Sequence, residues 1–476
     1  MKKSILILTF LAFAISGAVA QELDSEAIYE QAKKHLIALL GIDTSQPNPQ
    51  ETEATRYLYK ELNKHYIDWD LLSPRKGKAN LLARLKGTDL EAKPLLLISH
   101  LDTAPATDHW AYPPYKATLM DGKIYGLGAT DAKNYTAMHL ALFTALKESG
   151  LPLKRDVILL ATSGEEFGSD TGLKWLGDTQ WSHIAAGYAL NEGGSIIKNT
   201  PTNVPLIFAE AGTKMYMDLK ITAQGQALHS SLPVQQNAVY HLSEILAKLN
   251  TFDPPARLTP TAREFFRRIA PLQDEDAQTT IQLLLYGTPQ EQQMAAEMMA
   301  QDPFFRSQLK DTLTPTSVSS GTDTGASAAE VSAIINVRLL PDTDPEKFIE
   351  DLKTFLGKDE SISIEIVERP QLPFPEPMTG NDELFTAIEQ AAINLWPDAV
   401  ATAAMSPASG DSEYLRRLGV ITYGLGPALS TQADAPSAHT ADEYISEKDY
   451  QEQVRFFTEV VKNFVLNVPQ ENPAHE

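Results

Sequence analysis

The chain has 476 residues, a length that indicates more than one folded unit. Apolar residues make up 43% of it and charged residues 21%, which is typical of a protein with a buried core. Its formal charge of −22 argues against nucleic acid and anionic membrane surfaces as partners, because both repel an acidic protein. Cysteine is absent, which excludes disulfides and thiolate chemistry and leaves His, Asp and Glu as the ligands for any metal ion.

The first twenty residues have the pattern of a secretory signal peptide. Two lysines follow the initial methionine, residues 5–15 are almost wholly apolar, and Ala18-Val19-Ala20 is a small-residue exit typical of a cleavage site. An uncleaved membrane anchor is the alternative. We therefore expect an exported protein, periplasmic or extracellular, that makes no membrane contact once residues 1–20 are removed. The absence of cysteine fits a bacterial periplasm better than an oxidising secretory lumen.

Helical and strand patterns alternate through the first part of the chain. Apolar residues recur at helical spacing in three segments, which are residues 26–40, 51–64 and 135–147. Continuous apolar runs predict strands, and these runs are residues 95–98 and 157–160, with further candidates at 185–190 and 420–423. Because strand, helix and strand follow one another, we expect a parallel sheet with crossover helices.

The pattern changes after about Gly212. Residues 215–221 alternate in part, as in a strand with one exposed face, and residues 238–249 predict a helix. The polar stretch 254–309, rich in Met and Gln, predicts several surface helices. These features indicate a second unit with a different architecture.

The second unit closes with two strands and a linker. Residues 314–329 are rich in Ser, Thr, Gly and Ala without periodicity, which predicts a loop, and strands are predicted at 331–339 and 361–367. Prolines between 370 and 377 then mark a stiff linker. We therefore predict an α/β domain with a mainly parallel sheet, interrupted by an inserted α+β domain. The expected boundaries are a signal peptide at 1–20, the first part of the α/β domain at 21–211, the insert at 212–371 and the second part at 372–476.

Acidic and histidine residues follow the predicted strands, where open parallel sheets place their binding sites. His100 and Asp102 end the strand that begins at Leu95, and alternation along a strand sends residues two apart to the same side. His100 could therefore bind a metal ion while Asp102 holds the other imidazole nitrogen. An ordinary hydrogen-bonded histidine is the simpler interpretation when this pair is taken alone.

The segment from Gly126 to Asp131 is glycine-rich and ends at a predicted helix. It differs from a dinucleotide-binding fingerprint, because Asp replaces the last Gly and no suitable strand precedes it. Asp131 could cap the helix or bridge two cations. Both roles are compatible, since a carboxylate has two oxygens.

Two adjacent carboxylates, Glu165 and Glu166, follow the second buried strand. They repel each other unless a cation lies beside them, so one could bind metal while the other takes a proton from water. Two solvated loop acids are the alternative. Glu192, after the next predicted strand, and His439, near the C-terminus, supply a further carboxylate and imidazole.

Together these motifs resemble the zinc-dependent aminoacylase and carboxypeptidase family, metallopeptidase family 20, which includes glutamate carboxypeptidase, carboxypeptidase S and acetylornithine deacetylase. The resemblance covers nearly all of the chain after residue 25. It implies a zinc-exopeptidase catalytic domain with an inserted lid and dimerisation domain, and hence a homodimer. It also implies two divalent ions, with zinc the expected metal. The implied ligands are His100 and Glu192 for one ion, Glu166 and His439 for the other, and Asp131 between them.

The resemblance implies further roles close to these ligands. Asp102 would orient His100, and Glu165 would be the general base. The Asp131–Ala132 peptide bond is expected to be cis. Lys133 matches the basic residue that commonly follows the bridging aspartate.

The resemblance also implies substrate contacts. His229, in the segment 225–231, matches the lid histidine that stabilises the oxyanion, often in a neighbouring subunit. Arg338 matches the lid arginine that binds the substrate carboxylate, and Gly410 lies in a turn beside the substrate. One departure stands out: Gly325-Ala326-Ser327-Ala328 replaces the family's Asn-containing run, so the asparagine that helps to bind substrate is missing or displaced.

The expected activity is hydrolysis of an amide bond next to a free carboxylate, by a carboxypeptidase or dipeptidase acting on small peptides. An N-acyl-amino-acid deacylase is the alternative, and a non-catalytic binding protein on the same fold is less favoured because Glu165 and all the ligands are present. Glu165 would take a proton from the attacking water and return it to the leaving amine. The chain has neither a G-x-S-x-G elbow nor an H-E-x-x-H motif, which argues against a serine hydrolase and a thermolysin-type protease.

Overall fold

The structure is a computed structural model, and the residues that it describes are 22–46, 50–107, 109–198, 200–232, 235–320, 326–429 and 438–466. The predicted signal peptide lies outside these residues, as do Gly325 of the departing lid segment and Ser437 beside His439.

Helices form where apolar residues recur at helical spacing, and several of them begin at a side-chain cap such as Asp24, Thr288 or Asp344. The helices are α1 (Ser25–Leu40), α2 (Glu51–Lys64), α3 (Lys133–Ser149), α4 (Leu173–Thr179), α5 (Trp181–Ile184), α6 (Ala238–Leu249), α7 (Pro260–Ile269), α8 (Glu275–Tyr286), α9 (Pro289–Met299), α10 (Pro303–Leu309), α11 (Pro345–Leu356), α12 (Glu383–Leu395), α13 (Asp411–Arg417) and α14 (Glu447–Val465). Short 3₁₀ turns span Glu165–Phe167 and Ala270–Leu272. In the described part of the chain, none of the helices combines the length and apolar character needed to cross a bilayer.

Strands fill the segments between the helices. They are β1 (Trp69–Arg75), β2 (Lys78–Leu85), β3 (Leu95–His100), β4 (Thr118–Met120), β5 (Lys123–Tyr125), β6 (Val157–Thr162), β7 (Tyr188–Asn191), β8 (Ser195–Ile197), β9 (Leu206–Thr213), β10 (Met215–Gln224), β11 (Thr312–Ser320), β12 (Glu330–Leu339), β13 (Ile362–Glu368), β14 (Val400–Ser406), β15 (Ile421–Leu425), β16 (Ala428–Leu429) and β17 (Tyr444–Ser446).

Among the described residues, ten strands form one central sheet in the order β1-β2-β6-β3-β7-β15-β9-β8-β16, with β14 paired to β9. The middle of the sheet is parallel, since β3 pairs in parallel with both β6 and β7, and β7 pairs in parallel with β15. The predicted mainly parallel α/β class is therefore confirmed. We call this sheet and its helices the main domain.

Helices cover both faces of the central sheet. Strand β3 illustrates this arrangement. Leu95 and Leu97 belong to the core under α1, α3 and α14, whereas Leu96 and Ile98 belong to the core under α4, α5 and α13. A strand whose side chains alternate between two apolar layers must be apolar throughout. This explains the continuous apolar run in the sequence.

The insert between the two parts of the main domain contains a second sheet. Its antiparallel strand order is β11-β12-β10-β13, and we call it the insert sheet. Helices α6 and α11 pack on this sheet through a separate apolar core that includes Leu242, Phe348 and Ile335. The predicted strands at 215–221, 331–339 and 361–367 and the helix at 238–249 are confirmed.

Helices α7 to α10, which we call the helical group, lie within the same stretch of sequence but pack elsewhere. Phe265 and Phe266 are 1% and 0% exposed, and they share a core with Leu206, Phe208 and Ala404 of the main domain. The predicted surface helices are thus present, with exposed side chains such as Tyr286 and Met298, and the sequence did not predict that their apolar faces pack on the main domain. Polar residues dominate the composition of this stretch, so its overall composition does not indicate the few large aromatic residues through which the helices pack on the main domain.

The predicted loop at 314–329 is also wrong over its first part. Residues 312–320 form β11, an edge strand paired with β12. Its Thr and Val residues favour extended backbone, but most of its side chains are exposed and therefore show no apolar alternation. The other described strands that were not predicted are β1, β2, β4, β5, β8, β9, β14, β16 and β17.

Candidate metal centre

Three neighbouring parallel strands carry the candidate site at their carboxyl ends. His100 is the last residue of β3, Glu165 and Glu166 follow β6, and Glu192 follows β7. Because β6, β3 and β7 are adjacent and parallel, these side chains lie along one edge of the sheet.

The first group of candidate ligands is His100, Asp131 and Glu192, whose ligand atoms all lie within 4.8 Å of one another. Nε2 of His100 is 3.0 Å from Oδ1 of Asp131 and 3.5 Å from Oε1 of Glu192. His100 is only 1% exposed, so its ring is held in one position by its surroundings.

The second group is Asp131, Glu166 and His439, again with ligand atoms within 4.8 Å. Nε2 of His439 is 3.1 Å from both Oδ2 of Asp131 and Oε1 of Glu166. Asp131 thus presents one oxygen to each group, which is the arrangement of a bridging carboxylate. The Asp131–Ala132 peptide bond is cis, as expected from the sequence, and α3 is preceded by Ala132, so Asp131 is not its N-cap.

The ionisation of these groups is strongly perturbed. Burial and the negative charge of Asp131 raise the pKa of Glu192 to about 7, although His100 opposes them. Hydrogen bonds to Asp131 and Glu166 raise the pKa of His439 to about 10. Burial would raise the pKa of Asp131, but hydrogen bonds from His100 and His439 outweigh it and hold this pKa below its ordinary value.

This donor set suits divalent cations. Three carboxylates and two imidazoles converge at two adjoining positions, and histidine nitrogens with carboxylate oxygens are ligands that zinc, cobalt and manganese accept. Clustered carboxylates repel one another, and a cation between them removes that repulsion. The residues present therefore fit a dinuclear site.

Asp102 is fully buried and contacts His100 in a way that the sequence did not predict. Nδ1 of His100 is 2.9 Å from the backbone oxygen of Asp102 and 3.6 Å from its carboxylate. A carbonyl oxygen only accepts, so Nδ1 donates to it, and Nε2 is the ring nitrogen that would bind a metal ion at the ligand site. The Asp102 carboxylate instead accepts hydrogen bonds from the backbone N–H groups of Glu165 and Glu166, at 3.1 and 3.2 Å.

Glu165 lies beside the turn that contains Gly410. A Cβ atom at Gly410 would be 3.1 Å from Oε1 of Glu165, so a glycine leaves room for the carboxylate. Burial raises the pKa of Glu165 well above its ordinary value, and the negative charges of Glu192 and Asp411 add to this against the charge of His100. Asp411 is itself buried and accepts hydrogen bonds from the hydroxyls of Ser169 and Thr162.

The loop after Glu192 rests on a buried ion pair. Both oxygens of the Glu210 carboxylate accept hydrogen bonds from the Arg416 guanidinium, at 2.8 and 2.7 Å. A Cβ atom at Gly193 would lie 3.1 Å from Cβ of Glu210, so the loop packs closely against this pair. Sequence reasoning missed the pair because its members are 206 residues apart and show no local pattern.

Arg338 joins the insert sheet to the main domain near the candidate site. It lies on β12, where its Nε donates to Asn336 Oδ1 over 3.0 Å and its Nη1 donates to Ser409 Oγ over 3.3 Å. The guanidinium also lies 4.6 Å from the ring centroid of Tyr216. The structure therefore brings Arg338 next to the turn at Gly410, close to Glu165.

His229 is exposed in its loop, with Nδ1 2.8 Å from Oγ of Ser231. Within the described residues, none of its hydrogen bonds joins it to the metal-centre residues. Ser327, from the segment that lacks the family's asparagine, holds this loop: its hydroxyl donates to Gln226 O over 2.6 Å and accepts from Leu228 N–H over 2.8 Å.

The comparisons with known proteins agree with this geometry. The sequence model of the peptidase family M20/M25/M40 matches residues 96–463. A probable succinyl-diaminopimelate desuccinylase of Staphylococcus aureus (strain N315) is 26% identical over 439 residues, which cover 90% of this chain and 97% of that protein.

Two solved structures share the fold. The M20 family metallo-carboxypeptidase Sso-CP2 from Sulfolobus solfataricus has a TM-score of 0.66 at 19% identity, covering 91% of this chain and 99% of that one. Human carnosine dipeptidase 1 has a TM-score of 0.64 at 16% identity, covering 92% of this chain and 98% of that one. The resemblance found in the sequence is thus confirmed. The chain belongs to the peptidase family M20/M25/M40 and is a metallopeptidase-family hydrolase.

Proposed function

We propose that this protein is an exported dinuclear-metal hydrolase that cleaves an amide bond next to a free carboxylate, as a carboxypeptidase or dipeptidase. The observation that carries the proposal is the pair of ligand groups that share Asp131, with Glu165 beside them and Arg338 close by. Family membership supports the hydrolase class. The substrate class rests on Arg338 and on the chemistry of the site.

The residues that would hold the two ions are those of the two ligand groups, and zinc is the metal that we propose. Bound divalent ions would supply Lewis-acid polarisation of the scissile carbonyl and acidify the attacking water. The carbonyl of Asp102 keeps the His100 ring in the tautomer that this requires.

Glu165 is the proposed proton carrier. Its carboxylate would accept a proton from the attacking water and deliver it to the nitrogen of the leaving amine. Asp102 fixes the turn on which Glu165 stands, and the absence of a side chain at Gly410 leaves room for the Glu165 carboxylate.

Arg338 is the proposed contact for the substrate's carboxylate. A planar guanidinium binds a carboxylate through two parallel hydrogen bonds, and Asn336 and Ser409 hold this guanidinium in place. His229 is proposed to stabilise the oxyanion of the reacting amide from its exposed loop, in a homodimer in which the loop reaches the neighbouring subunit's site.

An N-acyl-amino-acid deacylase is the second candidate, because it also cleaves an amide beside a carboxylate. The Staphylococcus relative, named as a probable desuccinylase, favours this candidate, whereas the Sulfolobus and human neighbours are named as a carboxypeptidase and a dipeptidase. A binding protein without activity is less favoured, since Glu165 and the five candidate ligands are all present.

Export is proposed from the N-terminal sequence alone. The basic start, the apolar run at 5–15 and Ala18-Val19-Ala20 support removal of residues 1–20 and a periplasmic or extracellular location. Mass spectrometry of the protein secreted from an expressing bacterium tests this directly, since cleavage after Ala20 leaves Gln21 as the first residue.

One experiment tests the proposed activity. The protein lacking residues 1–20 is loaded with Zn²⁺ and incubated with mixed dipeptides, tripeptides and N-acyl amino acids, and the products are identified by mass spectrometry. Release of C-terminal residues or cleavage of dipeptides supports the first candidate, and release of acyl groups alone supports the second. Absence of any product with two bound ions would contradict both.

A further inference from the structure

The buried carboxylate of Glu443 has an unusual set of partners. Glu443 is 1% exposed, and it stands four residues after His439. Its Oε1 accepts hydrogen bonds from the backbone N–H of Thr130 at 2.7 Å, the Thr130 hydroxyl at 2.8 Å and the backbone N–H of Asp131 at 3.3 Å. Its Oε2 accepts from the backbone N–H of Gly128 at 3.0 Å. A single side chain thus satisfies most of the donors of one short loop.

This loop is the one that carries the shared ligand. Residues 126–131 join β5 to α3, and Asp131 at their end gives one oxygen to each ligand group. Backbone N–H groups in a buried turn need hydrogen-bond acceptors. The N–H groups of Gly128, Thr130 and Asp131 find theirs in the Glu443 carboxylate and not within the turn. The position of Asp131 therefore depends on a residue more than 300 positions away in the sequence.

The partners of Glu443 also distinguish it from a group that acts on substrate. Its oxygens are directed at the loop, and the nearby ammonium of Lys133 donates to the backbone oxygen of Ile42 over 2.8 Å instead of to Glu443. Glu443 is therefore placed to act through Asp131.

We propose that Glu443 is a positioning residue of the dinuclear centre, which fixes the loop of Asp131 against the segment of His439 and so sets the geometry of both metal sites. The proposal rests on the proposed function, because it assigns a role toward the two ions. Glu443 contacts the candidate ligand Asp131 only through the backbone N–H of that residue. It links the loop that carries Asp131 to the C-terminal segment that carries His439.

Metal binding gives the first test. Co²⁺ alone is titrated calorimetrically into the metal-stripped protein and into four variants: E443A, E443Q, T130V and E61Q. Loss of a partner that orients a ligand typically weakens metal binding about 10–100-fold, which is the loss expected for E443A for at least one of the two ions. E443Q can keep its amide oxygen at the Oε1 position but turns an NH₂ toward Gly128 N–H, so we expect about a tenfold loss. T130V removes one donor of four and should lose less.

The variant E61Q is the matched control. Glu61 is a buried glutamate on α2, 9% exposed, whose carboxylate contacts Lys64 and not the loop. E61Q should bind both ions as the wild type does. Circular dichroism and thermal melting show which variants fold, and if E443A does not fold, E443Q and T130V carry the test.

Hydrogen exchange of the metal-free proteins gives the second readout. Amides of residues 128–131 should exchange faster in E443A and E443Q than in the wild type, whereas amides of α2 should not change. Wild-type Co²⁺ affinity together with wild-type exchange in E443Q and E443A would overturn the proposal. Failure of the proposed function looks different, because the wild type itself would then bind no pair of ions or cleave no substrate.

Discussion

Arg338 of the insert donates a hydrogen bond to the hydroxyl of Ser409 in the main domain, over 3.3 Å. Ser409 precedes Gly410, and Gly410 lies against the carboxylate of Glu165. The two domains therefore meet beside the proposed base. The proposed function requires that a substrate whose carboxylate binds at Arg338 presents its neighbouring amide bond to Glu165.

Replacing Arg338 with Lys should weaken the use of substrates that have a free carboxylate. Lysine offers a point charge in place of a planar fork, and a hydrogen bond to a charged group contributes about 1.5–3 kcal/mol. We expect kcat/KM for a dipeptide to fall about 10–100-fold, mainly through KM. The amidated form of the same dipeptide should be cleaved poorly by wild type and variant alike. An equal loss on both substrates would show that Arg338 does not read the carboxylate, and S409A, which removes only one neutral partner, should have a smaller effect.

Glu165→Gln should abolish most turnover without loss of metal. General acid–base catalysis contributes about 10²–10⁴-fold, so kcat should fall by at least two orders of magnitude. Glu166→Gln is the matched control, since it changes the adjacent carboxylate that belongs to a ligand group. E166Q should lower the metal content of the protein, whereas E165Q should keep it. The bound metal is measured by inductively coupled plasma mass spectrometry. Full activity in E165Q would refute the assigned base.

Gly194→Ala should displace the loop that carries Glu192. Gly194 has a φ of +67°, and a Cβ atom there would lie 2.2 Å from the backbone oxygen of Phe208. Backbone strain and overpacking together should cost about 2–4 kcal/mol of unfolding free energy, measured by urea denaturation. Gly150→Ala separates the two causes, because Gly150 has a φ of +64° and nothing within 4 Å of such an atom. Its cost should be about 1 kcal/mol, and equal costs would contradict the packing argument.

His139 should make a contribution to the stability of the fold that is lost as the pH falls below about 6.5. This residue is 0% exposed, and burial lowers its pKa to about 3. An unfolded chain would protonate this histidine near pH 6.5, so between these values the unfolded state binds more protons and acid favours unfolding. The contribution reaches at most ~1.4 kcal/mol per pH unit.

His139→Leu tests this contribution. As the pH is lowered from about 6.5 to 4, the unfolding free energy of the wild type should fall relative to that of the variant, measured by urea denaturation at several pH values. Parallel curves for the two proteins would contradict the assignment. Burial also lowers the pKa of His35 to about 4, so His35 contributes to the pH dependence of the unfolding free energy in both the wild type and the variant.

The sequence predicted the parts of the molecule that local patterns encode. The runs at Leu95 and Val157 became β3 and β6 because a strand between two helical layers is apolar on both faces. Helix α2 has the predicted limits, Glu51 and Lys64. Edge strand β11 was missed because an exposed strand has no apolar alternation to read.

The candidate site shows the same division. The five predicted ligands lie together because parallel strands end at one edge, although their binding of metal stays a prediction. Apart from Asp102, the residues that support the site were not predicted. Glu443 and Thr130 are 313 residues apart, and no local pattern connects them. The use of the Asp102 carbonyl, in place of its carboxylate, depends on backbone orientation that side-chain spacing does not specify.

The insert contributes to two separate cores, and this limits how the protein can be shortened. Phe265 and Phe266 of the helical group pack on Leu206 and Phe208, so these helices serve as a cover for the main sheet although they lie between strands of the insert sheet in sequence. A truncated protein made by excising the whole of 212–371 would strip that cover and expose an aromatic surface. A protein reduced to the main domain should instead keep residues 257–311, and it would lose Arg338 and His229 together with the insert sheet.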